Sequence, residues 1–68
     1  MKVRTVLRWL RQGGWFLARS VGSHRHFAHP TKPGLVTVPG KERSELSPKT
    51  FASICKQAGW PKTGPEKM

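Results

Sequence analysis

The sequence predicts one α+β domain in which a helix, three strands and a second helix follow one another. Two observations carry this prediction. Apolar residues recur at the helical spacing i, i+3, i+4 and i+7 in one segment near each end of the 68-residue chain. Between these segments, turn signals rich in Gly and Pro separate three short stretches of strand-forming residues. Each helix must bury its apolar face, so we expect both helices on one face of a three-stranded antiparallel sheet.

The first helix is predicted over about residues 2–12, and its apolar face consists of Val3, Val6, Leu7 and Leu10. Trp9 lies at the edge of this face, which predicts that its ring is half-buried. The pair Gly13–Gly14 predicts the end of the helix, because a glycine readily takes the left-handed conformation that stops a helix.

The three strands are predicted at residues 15–21, 24–29 and 35–38. Gly22–Ser23 is a turn signal between the first two strands, and residues 31–34 contain Pro and Gly in positions typical of a hairpin. Strand alternation places His24 and His26 on one face of the sheet and Phe27 on the other, toward the helices. We therefore expect the histidine face to be left to water or to a partner.

The second helix is predicted to begin after Ser47, a good N-cap residue, with Pro48 at the first helical position. Its apolar face consists of Phe51, Ile54, Cys55 and Ala58, and Gly59 predicts its end. Residues 1–60 are thus expected to form the folded domain. Residues 61–68, with two prolines and little apolar content, are expected to form a flexible C-terminal tail.

The charge of the chain is strongly positive and unevenly distributed. There are 13 Lys and Arg residues against three acidic ones, a formal net charge of +10, and residues 1–40 contain no acid at all. Such a balance favours a polyanionic partner through electrostatic steering and counterion release. Nucleic acid is the first candidate and an acidic protein the second, and the two are compatible.

Cysteine content and hydropathy bear on the location of the protein. Cys55 is the one cysteine, so an internal disulfide is impossible and a cytoplasmic location is expected. Its place on the apolar face of the second helix predicts an inert, buried thiol. No apolar run approaches the roughly 20 residues that span a bilayer, and Arg8 and Arg11 interrupt any signal-peptide core. No membrane association is therefore expected.

Seven short motifs follow one another along residues 3–60: Gly14–Trp15, Gly22–Ser23–His24, Phe27-x-His29–Pro30, Val36–Thr37–Val38–Pro39, Glu45–Leu46, Thr50–Phe51 and Ile54-x-x-Gln57–Ala58–Gly59. Gly-Ser-His alone is a weak signal, but the ordered set is specific and resembles the HicA toxins of bacterial and archaeal toxin–antitoxin pairs. The chain departs from many members at Lys49, where they have glycine, and in the loop 40–43, where several carry a histidine.

This resemblance implies a fold like that of a double-stranded-RNA-binding domain, in agreement with the α-β-β-β-α order predicted above. It implies the toxin of a type II toxin–antitoxin system, an endoribonuclease that cleaves mRNA without a metal or other cofactor and inhibits translation. His24, the histidine of the Gly-Ser-His motif, would be the catalytic residue. The implied partners are the mRNA substrate and a cognate HicB-like antitoxin that covers the site.

The chemistry of RNA cleavage suits His24. RNA is cut without metal when a base takes the proton of a 2′-OH, which attacks the adjacent phosphorus, and an acid protonates the departing 5′-oxygen. Imidazole serves in either step because its unperturbed pKa, about 6.5, lies near working pH. From the residues alone, the alternative is a surface histidine in a basic patch.

The residues around His24 form the candidate RNA-binding set: Arg19, Gly22, Ser23, Arg25, His26 and Lys32. His26 can act as a second proton-transfer group or as a platform for a base, or it can be a solvated strand residue. The cations of this set either stabilise the charge of a phosphorane or simply bind phosphate. The glycine permits a turn, and the serine hydroxyl can bind a phosphate or orient His24.

The spacing His24-x-His26-x-x-His29 also suggests a metal site, but two features disfavour it. His29 falls on the other face of a regular strand, and we interpret it as structural. The chain has no Asp and only three Glu, fewer carboxylates than a two-metal nuclease normally needs. Two rival functions remain: a noncatalytic RNA-binding module of the same fold, and a ribonucleoprotein component that binds RNA through its basic tail.

Overall fold

The computed structural model describes residues 1–65, and they form the predicted α+β domain. The elements are α1 (Val3–Gln12), β1 (Phe16–Val21), β2 (His24–Ala28), β3 (Val36–Val38) and α2 (Pro48–Ala58). The three strands form one antiparallel sheet with β2 in the centre. The predicted order is thus confirmed, and each predicted boundary lies within one residue of the observed one.

The core lies between one face of the sheet and the two helices. Phe27 from β2 and Val36 and Val38 from β3 are buried on this side. They pack with apolar side chains of the helices and adjoining segments: Val3, Val6, Leu7, Leu10, Trp15, Leu46, Ile54 and Ala58. Both helices therefore bury their apolar faces on the same side of the sheet, as predicted, and we call the opposite side the outer face.

Three aromatic rings lie together at the edge of this core. Trp9 is half-buried, as predicted, and its ring centroid lies 6.4 Å from that of Phe51 and 6.1 Å from that of Trp60. Phe51, which the helical spacing assigns to the apolar face of α2, is half-buried rather than fully enclosed. The contact of Trp9 with Phe51 joins the two helices, and the edge-to-face contact with Trp60 joins α1 to the segment that follows α2.

The segment after α2 returns to the domain. Gly64 is buried, and a Cβ placed on it would lie 2.9 Å from Cζ3 of Trp9. Gly64, in the first part of the predicted tail, therefore packs on the domain; residues 61–63 are exposed, and residues 66–68 lie outside the described residues. Cys55 is buried as predicted, and its burial raises the pKa of its thiol, as expected of an unreactive core cysteine.

Both ends of α2 have the predicted features. Ser47 Oγ accepts a hydrogen bond from the backbone N–H of Thr50 at 3.1 Å, which caps the N-terminus. Gly59 follows the helix, and the next N–H, of Trp60, donates to the carbonyl of Cys55 at 2.8 Å, as in a Schellman motif.

In the described part of the chain, no helix has the length and apolar character that crossing a membrane requires.

The end of α1 differs in detail from the expectation. Of the glycine pair, Gly13 keeps a negative φ of −84°, and Gly14 alone has a positive φ, of 90°. A Cβ on Gly14 would lie 3.0 Å from Nε2 of His29. Gly14 thus allows the chain to change direction, and because it has no side chain, it leaves room for the ring of His29, which follows β2.

Candidate functional site

The turn between β1 and β2 presents the predicted catalytic residue. Val21 pairs with His24 across the two strands, so Gly22–Ser23 is a two-residue hairpin turn. Gly22 has a φ of 59°, and a type II′ turn needs a positive φ at this first central position. The turn therefore leads directly into His24, the first residue of β2.

His24 is exposed and lines a groove of about 380 Å³, the His24 groove, on the side of β3 and α2. The other residues that line it are Thr37, Pro39, Lys49, Thr50, Ser53, Ile54 and Gln57. Within residues 1–65, the histidine hydrogen bonds involve His26 and His29 and none involves the His24 ring. Both nitrogens of this imidazole can therefore exchange a proton with a ligand in the groove.

His26 lies two residues further along β2 and is held by the neighbouring strand. Its Nδ1 forms a hydrogen bond with Oγ1 of Thr37 at 3.0 Å, and it is half-buried. The backbone N–H of Thr37 donates to Oε1 of Gln57 at 2.9 Å, and Nε2 of Gln57 donates to Oγ of Ser53 at 3.2 Å. This chain of hydrogen bonds joins the outer face of the sheet to α2 along the His24 groove, so it fixes one wall of the groove.

Arg19 reaches the outer face through an irregularity that the sequence does not predict. Leu17 pairs with Phe27, but Arg19 pairs with His26, so Ala18 is an extra residue in β1. Cross-strand partners share a face of the sheet, which places the arginine on the same face as His26. A regular strand would instead have placed it on the face of Leu17.

A second groove of about 680 Å³, which we call the turn pocket, lies at the same end of the sheet. It is lined by Arg4, Gly22, Ser23, Arg25, Lys41, Glu42 and Arg43. The loop that supplies the last three residues is held on α1, because the N–H of Arg4 donates to the carbonyl of Glu42 at 2.9 Å. Three members of the predicted RNA-binding set, Gly22, Ser23 and Arg25, therefore meet here rather than in the His24 groove.

Lys32, the remaining member of that set, lies at the opposite end of β2. Its Nζ sits 5.9 Å from the centroid of the Trp15 ring, next to the end of β2 that is remote from His24. Since β2 has five residues, its two ends are roughly 14 Å apart. The structure thus does not bring Lys32 to the histidine that it was expected to flank.

His29 is tied into the same remote end and is structural, as we interpreted it from the sequence. Its Nε2 donates to the carbonyl of Gly13 at 3.0 Å, and its Nδ1 accepts from the N–H of Thr31 at 3.1 Å. The ring also packs edge-on against Trp15, with centroids 5.2 Å apart. Within residues 1–65, no three His, Cys, Asp or Glu side chains come together as a metal ion would need.

The RNA-binding set predicted from the sequence omits three cations of the turn pocket: Arg4, Lys41 and Arg43. The first is spaced with the other arginines of α1, and the other two belong to a loop with no regular pattern. Their convergence depends on how the loop docks on α1, which is a tertiary contact. The available signal was weak: a run of charged residues directly after β3, at the end of the sheet where β2 begins.

Comparison with known proteins identifies the family of the chain. No curated protein matches the chain. A family model, described as the HicA toxin of bacterial toxin-antitoxin, matches residues 3–60, which include all five helices and strands and the Gly-Ser-His turn. Such toxins are paired with an antitoxin, so a partner protein is implied. This chain therefore belongs to the HicA toxin family.

Proposed function

We propose that this protein is an endoribonuclease that cleaves mRNA without a metal and so inhibits translation. The observation that carries the proposal is the state of the His24 side chain within the described residues: it is exposed, its ring forms no hydrogen bond with the protein, and it lines a groove. A group that moves protons must be accessible and able to gain and lose them. Membership of a toxin family supplies the biological context.

The reaction that suits these residues is an internal transesterification. His24 takes the proton of a 2′-OH, a bond forms between that oxygen and the adjacent phosphorus, and the bond from phosphorus to the 5′-oxygen breaks. The departing oxygen receives a proton from a second acid or from water. The products are a 2′,3′-cyclic phosphate and a 5′-hydroxyl end, and the charges balance without an external reagent.

Other residues of the predicted set support this reaction in different ways. His26 holds its Nδ1 against Thr37, so its Nε2 is left for the departing oxygen or for a base of the RNA. Arg19, exposed on the same face, stabilises the negative charge that develops on the phosphorane. Lys32 acts only on a part of the RNA remote from the cleaved bond.

The partner antitoxin is proposed to be a HicB-like protein that covers the His24 groove. The net charge of +10 favours an acidic surface on that protein as well as binding to RNA. Because both ligands would then compete for the same face, antitoxin binding would block cleavage directly. The site of action is the cytoplasm, where mRNA is translated.

The experiment that tests the proposal is cleavage of an end-labelled single-stranded RNA in excess EDTA, beside the same sequence made as DNA. We expect the RNA to be cut to products with 2′,3′-cyclic phosphate and 5′-hydroxyl ends, and the DNA, which lacks the attacking hydroxyl, to remain intact. Loss of RNA cleavage in EDTA would contradict the metal-free mechanism. Binding of the RNA without any cleavage would instead favour the noncatalytic RNA-binding module.

A further inference from the structure

We propose that the turn pocket is a second RNA-binding site that holds a backbone phosphate away from the cleaved bond. It lies beside the Gly22–Ser23 turn, while His24, the next residue, faces the other groove. The identity of the ligand as RNA rests on the proposed function. The existence of an anion site in this pocket rests on the pocket itself.

The pocket gathers positive charge from separate parts of the chain. Arg4 comes from α1, Arg25 from β2, and Lys41 and Arg43 from the loop after β3, against the single carboxylate of Glu42. Among residues 1–65, the ion pair formed joins the N-terminal amine to Glu45 and involves none of these four cations. Their charges are therefore available to a ligand, and clustered cations of this kind bind phosphate through charge-assisted hydrogen bonds.

The pocket is also shaped before any ligand arrives. Arg25 is half-buried, and its Nη1 donates to the carbonyl of Gly40 at 2.8 Å, which orients the rest of its guanidinium group. The loop is fixed to α1 by a bond from the N–H of Val3 to the carbonyl of Ser44 at 3.0 Å. At Gly22, no atom lies within 4 Å of where a Cβ would stand, so a ligand can approach the backbone of the turn. Donors held in place bind with less loss of conformational entropy.

The position of the pocket favours RNA over an acidic protein segment. The pocket and the His24 groove lie on either side of one two-residue turn, and Ser23 of the pocket is bonded directly to His24. A nucleic acid that places one phosphate at His24 carries a further phosphate at every nucleotide, so one strand can reach both sites. An acidic peptide has no such regular spacing of charge, and its binding here is treated as an outcome of the test.

A phosphate bound in the turn pocket contributes to affinity rather than to the chemical step. It is held equally in the ground state and in the transition state, so its loss raises KM and leaves kcat unchanged. Its loss also reduces the number of cations released from the RNA on binding, which reduces the salt dependence of the affinity. An RNA too short to pass the turn gains nothing from the pocket.

The test compares two double variants that remove the same charge. Lys41→Ala/Arg43→Ala removes two exposed cations of the pocket, and Arg8→Ala/Lys56→Ala removes one arginine and one lysine exposed on the helices outside both grooves. Within residues 1–65, none of the four side chains forms a hydrogen bond, so both variants are expected to fold, which a thermal melt checks. Binding of a labelled single-stranded RNA is measured at several salt concentrations in a His24→Ala background, which separates binding from cleavage.

We expect the pocket variant to bind the RNA about tenfold more weakly and to reduce the slope of log K against log salt by about 1.4, or 0.7 for each lost cation. The control variant should weaken binding only about twofold to threefold, as a general effect of lower charge. Equal losses in the two variants would overturn the inference. So would a pocket variant that binds RNA normally but no longer binds its antitoxin, which would assign the pocket to the partner protein.

The result is distinguishable from failure of the proposed function. If the wild type binds RNA through the pocket but does not cleave it, the second site stands and the proposed chemistry fails. If the wild type cleaves RNA, the pocket variant should show an increased KM and an unchanged kcat on a long RNA. A lowered kcat with an unchanged KM would contradict a pure binding role.

Discussion

One histidine begins β2 and another directly follows its last residue, and the two differ in what their ring nitrogens do. At one end, His29 uses both nitrogens, since Nε2 donates to Gly13 and Nδ1 accepts from Thr31. At the other end, His24 is exposed and, within the described residues, has no hydrogen bond from its ring. Two histidines five positions apart thus differ in their hydrogen bonding: the ring of one is held by the protein, and the ring of the other is not.

This difference indicates which of the two imidazole rings is accessible to a ligand. A ring whose two nitrogens both form hydrogen bonds with the protein has no free nitrogen to offer a ligand. His29 therefore stabilises the fold, while His24 is available to a ligand. His26 lies between them in the sequence. One of its ring nitrogens is hydrogen-bonded to Thr37 and the residue is half-buried, so it is intermediate in hydrogen bonding and in exposure.

The largest effect on stability is expected at Gly14, which lies against the bonded histidine. In Gly14→Ala, the positive φ of 90° costs about 1–3 kcal/mol, and the new Cβ would lie 3.0 Å from Nε2 of His29. Gly34→Ala is the matched control, because Gly34 has a φ of 80° and open space where its Cβ would stand. Urea denaturation should show a greater loss for Gly14→Ala. Equal losses of stability in the two variants would mean that the ring of His29 moves away from the new Cβ at no measurable cost.

A smaller loss is expected when the bonded ring itself is removed. His29→Ala leaves the carbonyl of Gly13 and the N–H of Thr31 without this partner, and we expect a decrease of about 1–3 kcal/mol in the free energy of unfolding. The matched variant His24→Ala removes an exposed ring without protein hydrogen bonds, and we expect a change below about 0.5 kcal/mol. A greater loss of stability in His24→Ala than in His29→Ala would contradict a structural role for His29 alone.

An effect smaller than that of His29→Ala is expected at the contact of the intermediate histidine, His26. Thr37→Val keeps the shape of the side chain and removes the hydroxyl that bonds Nδ1 of His26, at an expected cost of about 0.5–1.5 kcal/mol. Thr37→Ser, which keeps the hydroxyl, is the control. If His26 assists proton transfer, kcat of RNA cleavage falls in the valine variant and is preserved in the serine variant. Equal kcat values in both variants would limit His26 to a structural role.

The sequence was sufficient to predict the elements of the fold. Apolar spacing located both helices, and the cap residue Ser47 and the glycine stop Gly59 fixed the ends of α2, because these signals are local. The Gly-Ser turn and strand alternation also placed His24 and His26 opposite the core. These features depend on residues that are close together in the sequence, so they could be predicted from it.

The rest of the site depends on contacts that no local pattern specifies. The extra residue Ala18, which brings Arg19 opposite His26, follows from how two strands settle into register. Lys32 is near His24 in sequence but follows the far end of the strand, which separates the two. The turn pocket forms only when a loop docks on α1, so its charges could not be grouped from the sequence.

The most direct test of the central claim is the rate of RNA cleavage by His24→Ala and His29→Ala, measured beside the wild type. The assay uses single-turnover conditions, excess EDTA and a temperature at which both variants are folded. We predict that His24→Ala loses about 100-fold or more in rate, while His29→Ala cleaves at nearly the wild-type rate. Cleavage by His24→Ala at the wild-type rate, or an equal loss in a folded His29→Ala protein, would contradict the assignment of proton transfer to His24.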